Sequence, residues 1–495
     1  MRPWTQHLPS GMSADAVALG TAGSLTAAWE KRWAQDPAKV VLVDTTGAPR
    51  RADELEHASR NAAGRFAGAG VQRGDRVTLS AATSYEFVVA YVGLLRLGAT
   101  ALPMNTAYRE PEVAHIVRDA GITAAVVDDA DRAAWIRTAA PTALITSPLL
   151  DELPPPVDVT LPVLGGDDGA LLVYTSGTTG TPKGALLTHR NLLTSAEAVA
   201  LSWRWTAEDR LVLTLPLFHL HGLGVGLHGT LTTGATAQLH PGFDPAKVFD
   251  ALRGDATMFF GVPTMWHRLV QAPGADALKQ MRLGVSGSAP LPAELHAAIA
   301  QIAGAPPIER YGLTETVMLT SNPYDGERRG GSVGFPFPLV EVRLAEDGEI
   351  EAKAPNVFGG YWQRPDANAE SFVDGWFRTG DLGAEDADGY LHIVGRKKEL
   401  IITGGFNVYP REIEEAVAAH PAVAEAAVVG AADPEWGEKV CAFLVLADEV
   451  SDADLDAWCA ARLAPYKRPR RYERVATLPR NALGKVLRGE LAARL

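Results

Sequence analysis

Residues 170–184 read ALLVYTSGTTGTPKG, an apolar run that opens into a loop of glycines, hydroxyls and one lysine. Ala170–Tyr174 has the length and composition of a buried strand. Glycines at 177, 180 and 184 admit unusual backbone angles and close approach to a ligand. Thr175, Ser176, Thr178 and Thr179, with the backbone N–H groups between them, offer donors to phosphate oxygens, and Lys183 adds a positive charge. A flexible Gly/Thr hairpin is the plain alternative, but it gives no reason for so many hydroxyls and a lysine in one turn. The spacing is not that of a Walker A motif, because Pro182 precedes Lys183 where that motif requires glycine. An ordinary P-loop ATPase is the weaker reading.

Upstream, helix-like and strand-like segments alternate. Ala52–Ala69 has helical periodicity, Arg76–Ser80 is a short apolar strand, Phe87–Leu97 reads as a buried helix and Thr123–Val127 as a strand. This alternation predicts an α/β architecture with parallel-rich sheets, and Leu153–Pro162 reads as a surface connection. Downstream, residues 386–396 (DADGYLHIVGR) form a hairpin-like segment with an Asp-Gly turn. Beyond it the pattern becomes compact α+β: helix over Ile413–Ala419, strands over Ala424–Val429 and Val440–Val445, helix over Asp452–Leu463. The expectation is a large N-terminal domain over 1–395 and a small α+β C-terminal domain over 396–495.

Composition excludes some classes. The 495 residues are 47% hydrophobic, enough for several domain cores. A formal charge of −13 argues against broad nucleic-acid binding, which needs phosphate-neutralising Lys and Arg. No apolar run reaches the roughly 18 residues of a membrane span, and the N-terminus lacks a basic head followed by an apolar stretch. The two cysteines, Cys441 and Cys459, match no zinc or redox spacing and read as idle thiols of a cytoplasmic protein.

The loop at 174–184 resembles the phosphate loop of the adenylate-forming superfamily of acyl-CoA synthetases, adenylation domains and luciferases. Four further motifs follow in that family's order. ERYGLTET (309–316) resembles its adenine and magnesium motif, and WFRTGD (376–381) its ribose motif. GRKKELIITGGFNVYP (395–410) resembles its hinge and thiol-tunnel motif, and PRNALGKV (479–486) its C-terminal lysine motif. Residues 339–355 depart from the family by a shorter loop before the Gly-Glu-Ile strand, which reads as a trimmed surface loop.

The resemblance implies an acid–thiol ligase that first joins a carboxylate to AMP and then passes the acyl group to coenzyme A, with ATP, Mg²⁺ and CoA as the small molecules used. Two anions must meet, so cations and magnesium are the expected tools. By resemblance Lys485 bridges carboxylate and α-phosphate, Thr314 bonds the α-phosphate and Glu315 holds Mg²⁺ with Thr175. ATP is expected at Thr175, Ser176, Gly177, Thr178, Thr179, Gly180 and Lys183. It is also expected at Ser288, Ala289, Pro290, Glu309, Arg310, Tyr311, Gly312 and Thr314, with Asp381 and Arg396 near the ribose. The resemblance also implies that the N-terminal domain has several subdomains and that the C-terminal domain is mobile, with Lys398 at the hinge position and Gly404, Gly405 and Phe406 on the path of CoA.

Three segments bear on the acid: PLFHLHGL (216–223), FFGVPTMWHRL (259–269) and TETVMLTSNPYDGERRGGSVG (314–334). Together they resemble malonyl-CoA and methylmalonyl-CoA synthetases. A dicarboxylate keeps one charge after activation, and a guanidinium suits it. By resemblance Arg268 takes that charge, with Ser288, His219 and Met318 around the acid; His221 has no clear place. Short-chain or aryl acyl-CoA synthetases, and a stand-alone adenylation enzyme loading a separate carrier protein, are the alternatives.

Overall fold

The computed structural model describes residues 4–175, 182–434, 436–481 and 484–495. The phosphate-loop residues Ser176, Gly177, Thr178, Thr179 and Gly180 lie outside the described residues. The chain resolves into two compact units. One runs to Val342 and resumes over Ala352–Phe377; the other comprises Arg343–Glu351 and Arg378–Leu495.

The first unit has the expected α/β character. A six-stranded sheet runs in the order Leu144–Thr146, Ala124–Val127, Arg76–Ser80, Thr100–Pro103, Gly169–Thr175, Lys183–Thr188. Only its last pair is antiparallel, and that pair brackets the phosphate loop, with Thr175 opposite Lys183. Helices Ala52–Gly68 and Tyr85–Leu97 form where their apolar periodicity predicts. Ser84 caps the second, its hydroxyl accepting from the Phe87 N–H at 3.1 Å, and Gly98 ends it at φ 78°.

A nine-stranded sheet lies elsewhere in the same unit. Its parallel centre runs from Ile308–Tyr311 through Leu283–Ser286, Met258–Gly261, Arg210–Leu213 and Thr236–Leu239 to Val40–Val43. Leu211, Val212, Met258 and Phe259 are all fully buried, as strands covered on both faces require. Because Leu213, Gly261, Ser286 and Tyr311 end neighbouring parallel strands, the segments that follow them emerge on one edge. Those segments are the ones singled out above: 216–221, 262–268, 287–290 and 312–315. The carboxyl edge of such strands is where open α/β sheets bind ligands.

The second unit pairs Asp381 with Arg396 across an antiparallel ladder. Arg378 and Lys397 both reach the buried Glu349 carboxylate, at 2.5 and 2.9 Å, which ties residues 343–351 to 378–397. The boundary expected at 395 therefore falls inside this unit. The trimmed 339–355 segment is a hairpin of Glu341–Leu344 and Glu349–Lys353 with its turn at Ala345–Gly348. A second sheet orders Phe406–Val408, Ile401–Thr403, Gly437–Leu446 and Val423–Asp433, with Arg471–Arg474 parallel to Gly437–Leu446. Helices Pro410–Ala418 and Asp452–Ala460 supply Ile413, Val417 and Leu455 to its core. Cys441 and Cys459 are buried free thiols here. Among the described residues no helix is long and apolar enough to cross a membrane.

Candidate active site

The first unit gathers a polar cluster at the strand edge. Ser288 follows the strand Leu283–Ser286 and holds φ at 69°, a left-handed conformation that is costly for serine and common at functional turns. Its hydroxyl lies 3.3 Å from His221 Nδ1 and 3.5 Å from Arg310 Nη2. His221 begins a π-helical turn over His221–Leu227, a wide turn typical of functional sites. Arg310 passes directly beneath Gly287, where a Cβ would come within 2.4 Å of the guanidinium carbon. Glycine at 287 is thus what lets the guanidinium occupy this place.

The electrostatics of the cluster are unusual. Arg310 is 6% exposed and makes no ion pair among the described residues, and its Nε–H reaches no protein acceptor. Burial lowers its pKa to about 9, so it remains a cation at neutral pH. Burial, together with Arg310 and His219, holds the His221 imidazole well below its ordinary value, so it is neutral. His221 Nε2 also finds no protein partner among the described residues. A desolvated cation with an unused donor is stabilised by an anionic partner.

Other expected residues frame it. Glu309 is buried and its Oε1 accepts from the Leu291 N–H at 3.1 Å, which fixes the Ser288–Pro290 segment. Tyr311, half-buried, closes its strand, with Gly312 next in the chain. The Thr314–Thr316 turn is pinned from below: Asn356 Nδ2 donates to Thr316 O at 2.7 Å and to Met318 O at 2.6 Å. Val317 is forced to φ 54°, a real strain for a β-branched residue. Met318 is 1% exposed within the main core, and His219 is half-buried beside Phe218. Glu315 is 7% exposed, and Tyr361 donates its phenol proton to Glu315 Oε1 at 2.8 Å. Burial and that carboxylate push the phenol up, so it stays a donor.

Arg268 stands apart. It sits on the outer side of helix Pro263–Gln271, whose buried residues are Trp266 and Leu269. The side chain is exposed, with its guanidinium 4.9 Å over the Phe243 ring, and it bonds to none of Ser288, His219 or His221. Arg268, expected by resemblance to take the second carboxylate's charge, is thus exposed, whereas Arg310 is buried. Sequence reasoning placed Arg310 with the nucleotide because it lies inside ERYGLTET; the signal missed was Gly287, the gap through which it enters.

In the second unit Asp381 is 3% exposed and accepts from Arg396 Nε at 2.9 Å. Its turn is held by Glu349, whose Oε1 accepts from the Gly380 N–H at 3.0 Å. Lys398 is exposed in the short turn Lys397–Glu399. Gly404 and Gly405, at φ 58° and 82°, make the two-residue turn between Ile401–Thr403 and Phe406–Val408, which glycine favours at both places. A Cβ at Gly405 would meet nothing within 4 Å, and Phe406 is 52% exposed, stacked on Tyr466 at 4.5 Å. Lys485 is exposed on a turn where its N–H donates to Asn481 Oδ1 at 3.0 Å.

A magnesium ion fits what surrounds Glu315. Among the described residues no group of three His, Cys, Asp or Glu side chains converges. A cation there has one buried carboxylate and must take its remaining ligands from phosphates and water, which is how Mg²⁺ is ordinarily held beside nucleotides.

Residues 29–362 match the AMP-binding enzyme family, and residues 412–485 match the AMP-binding enzyme C-terminal domain. A feruloyl-CoA synthase of an Amycolatopsis species is 36% identical over 490 residues, 94% of this chain and 98% of that protein. A malonate–CoA ligase of Arabidopsis thaliana is 34% identical, over 86% of this chain and 79% of that protein. The crystal structure of ATP-bound MatB from Rhodopseudomonas palustris aligns at a TM-score of 0.90 and 37% identity, covering 95% of this chain and 99% of that one.

Proposed function

We propose, from the premise that this chain belongs to the AMP-binding enzyme family and is an adenylate-forming acid–CoA ligase, that its acid is a small dicarboxylate: malonate, with methylmalonate as a second substrate. The observation that carries the reading is Arg310, a buried cation with no acidic partner among the described residues, beside Ser288 and His221. When one carboxylate of such an acid is activated, the other remains charged, and only a paired cation makes its burial tolerable. Arg310 offers planar donors, Ser288 a hydroxyl and His221 a neutral N–H. Met318, expected beside the α-carbon, has a flexible thioether that tolerates an added methyl.

In this reading the family resemblance assigns adenine to Tyr311 and the α-phosphate to Thr314 in the first unit, and the ribose to Asp381 and Arg396 of the second. Lys183 and the hydroxyls of the preceding loop cradle the remaining phosphates. Glu315, with Thr175, would hold magnesium, which when bound would supply charge stabilisation at the phosphates. Lys485 draws the reacting carboxylate and the α-phosphate together, and pyrophosphate leaves. By the same resemblance Lys398 is the hinge position for the second half-reaction, in which the Gly404–Phe406 turn serves the pantetheine thiol. That thiol displaces AMP to give the acyl-CoA.

An aryl acid is the competing reading, since a feruloyl-CoA synthase is as similar as the malonate–CoA ligase. A neutral ring would leave Arg310 uncompensated, which disfavours it. ATP–pyrophosphate exchange across malonate, methylmalonate, acetate, butyrate and benzoate tests the proposal. Exchange should be strongest with the two dicarboxylates; a maximum at benzoate or butyrate would overturn it.

A further inference from the structure

The stretch Ala352–Phe377 carries none of the five motifs read from the sequence apart from the first two residues of WFRTGD, yet it supports two of them. Residue 361 is the joint. Its backbone bridges to Ala185, and the flanking residues extend the contact: Leu186 N–H donates to Gly360 O at 3.5 Å and Trp362 N–H to Gly184 O at 2.7 Å. The chain at 360–362 is therefore stitched to the strand that begins at Lys183, just beyond the phosphate loop. From the same residue the phenol reaches Glu315 Oε1 at 2.8 Å, while Lys183 Nζ lies 5.4 Å above the ring centroid. The Phe358 N–H donates to Glu315 O at 2.8 Å, so the backbone of Glu315 is held from the same stretch. Tyr361 thus touches both the lysine that closes one phosphate-binding segment and the carboxylate of the other.

We propose that Tyr361 is a positioning residue for the metal-binding carboxylate: its phenol fixes the rotamer and twist of Glu315 relative to Lys183, so that the carboxylate is aimed before the metal–nucleotide complex arrives. The proposal rests on the reading of Glu315 as the magnesium ligand. Its physical basis is general. A carboxylate on a free rotor must be ordered when the ion binds, and a hydrogen bond to one oxygen removes that cost beforehand. Loss of such an outer partner ordinarily lowers metal affinity about 10–100-fold. Tyrosine is suited to this place because its ring also provides the π-face under Lys183, which a serine or threonine donor would not.

The test uses the full-length enzyme and three variants, Tyr361→Phe, Glu315→Gln and the double variant. Phenylalanine keeps the ring and its place under Lys183 and removes only the phenol. Two readouts are taken: the Mg²⁺ concentration for half-maximal ATP–pyrophosphate exchange, and Mn²⁺ binding to the enzyme–ATP complex followed by electron paramagnetic resonance. For Tyr361→Phe the half-maximal Mg²⁺ should rise by about 10-fold or more, with Mn²⁺ binding weakened in step. KM for the acid and the melting temperature should stay near wild type. The double variant should be no worse than Glu315→Gln, because the phenol acts only through that carboxylate. Wild-type metal dependence in Tyr361→Phe, alongside a clear shift in Glu315→Gln, would overturn the inference and leave the Glu315 reading standing. No shift in Glu315→Gln would remove the premise and the inference together.

Discussion

Arg310 and Arg268 carry the same group into opposite surroundings. Arg310 enters through the gap at Gly287 and lies buried against Ser288, with no carboxylate partner among the described residues. Arg268 rides the outer face of a helix, over the ring of Phe243, and is exposed. A buried cation without a charged partner is costly to a fold, whereas an exposed one costs little and carries little information. The difference teaches that the residue to suspect is set by the environment its neighbours create, and not by the presence of an arginine near the pocket in sequence.

Lys485→Ala should produce the largest effect and sharpen the comparison by contrast. It should abolish pyrophosphate exchange for every acid alike, while thioester formation from supplied acyl-AMP persists, because this exposed lysine is assigned to the reacting centre and not to acid choice. Unequal loss among acids would break that separation. Arg310→Met comes next: removing one partner of a buried charge pair costs about 3–5 kcal/mol, or roughly two to nearly four orders of magnitude in kcat/KM for malonate. Arg268→Met should cost at most about five-fold on any acid, the scale of an exposed charge. A collapse of malonate turnover in that variant would return the substrate carboxylate to Arg268.

A further prediction concerns stability and not acid choice. His228 and His189 are buried in the first unit, with pKa values lowered by burial to about 3 and about 4. His7 is likewise lowered to about 4. Their folded values lie below the unfolded value, so the unfolded chain binds more protons as pH falls. Stability is therefore full above about pH 6.5 and is lost progressively below it, by up to ~1.4 kcal/mol per pH unit for each imidazole. Melting temperature followed from pH 7.5 to 4.5 should fall below pH 6.5. A flat profile would show that these histidines are not buried neutral.

Much of this was legible in the sequence. The run Ala170–Tyr174 and the alternation around it gave the parallel sheets, because strands covered on both faces must be continuously apolar. Gly404 and Gly405 read only as the path of CoA; that they make a hairpin turn came from the structure, where both adopt positive φ. Arg310 was visible, but its burial was not: that depends on the missing Cβ of Gly287 and on the strained turn at Ser288, both set by strand ends that meet only in three dimensions. Tyr361 was overlooked for the same reason, since its partners lie on two distant motifs and no local spacing marks it.

The central claim is that the buried guanidinium, and not the exposed one, chooses a dicarboxylate. The direct measurement is the ratio of kcat/KM for malonate to that for butyrate in wild type, Arg310→Met and Arg268→Met. The ratio should fall by about a hundred-fold or more in Arg310→Met, with butyrate little changed, and stay near wild type in Arg268→Met. A parallel loss for both acids in Arg310→Met would contradict the account, because that arginine would then be serving the fold or the nucleotide and not the acid.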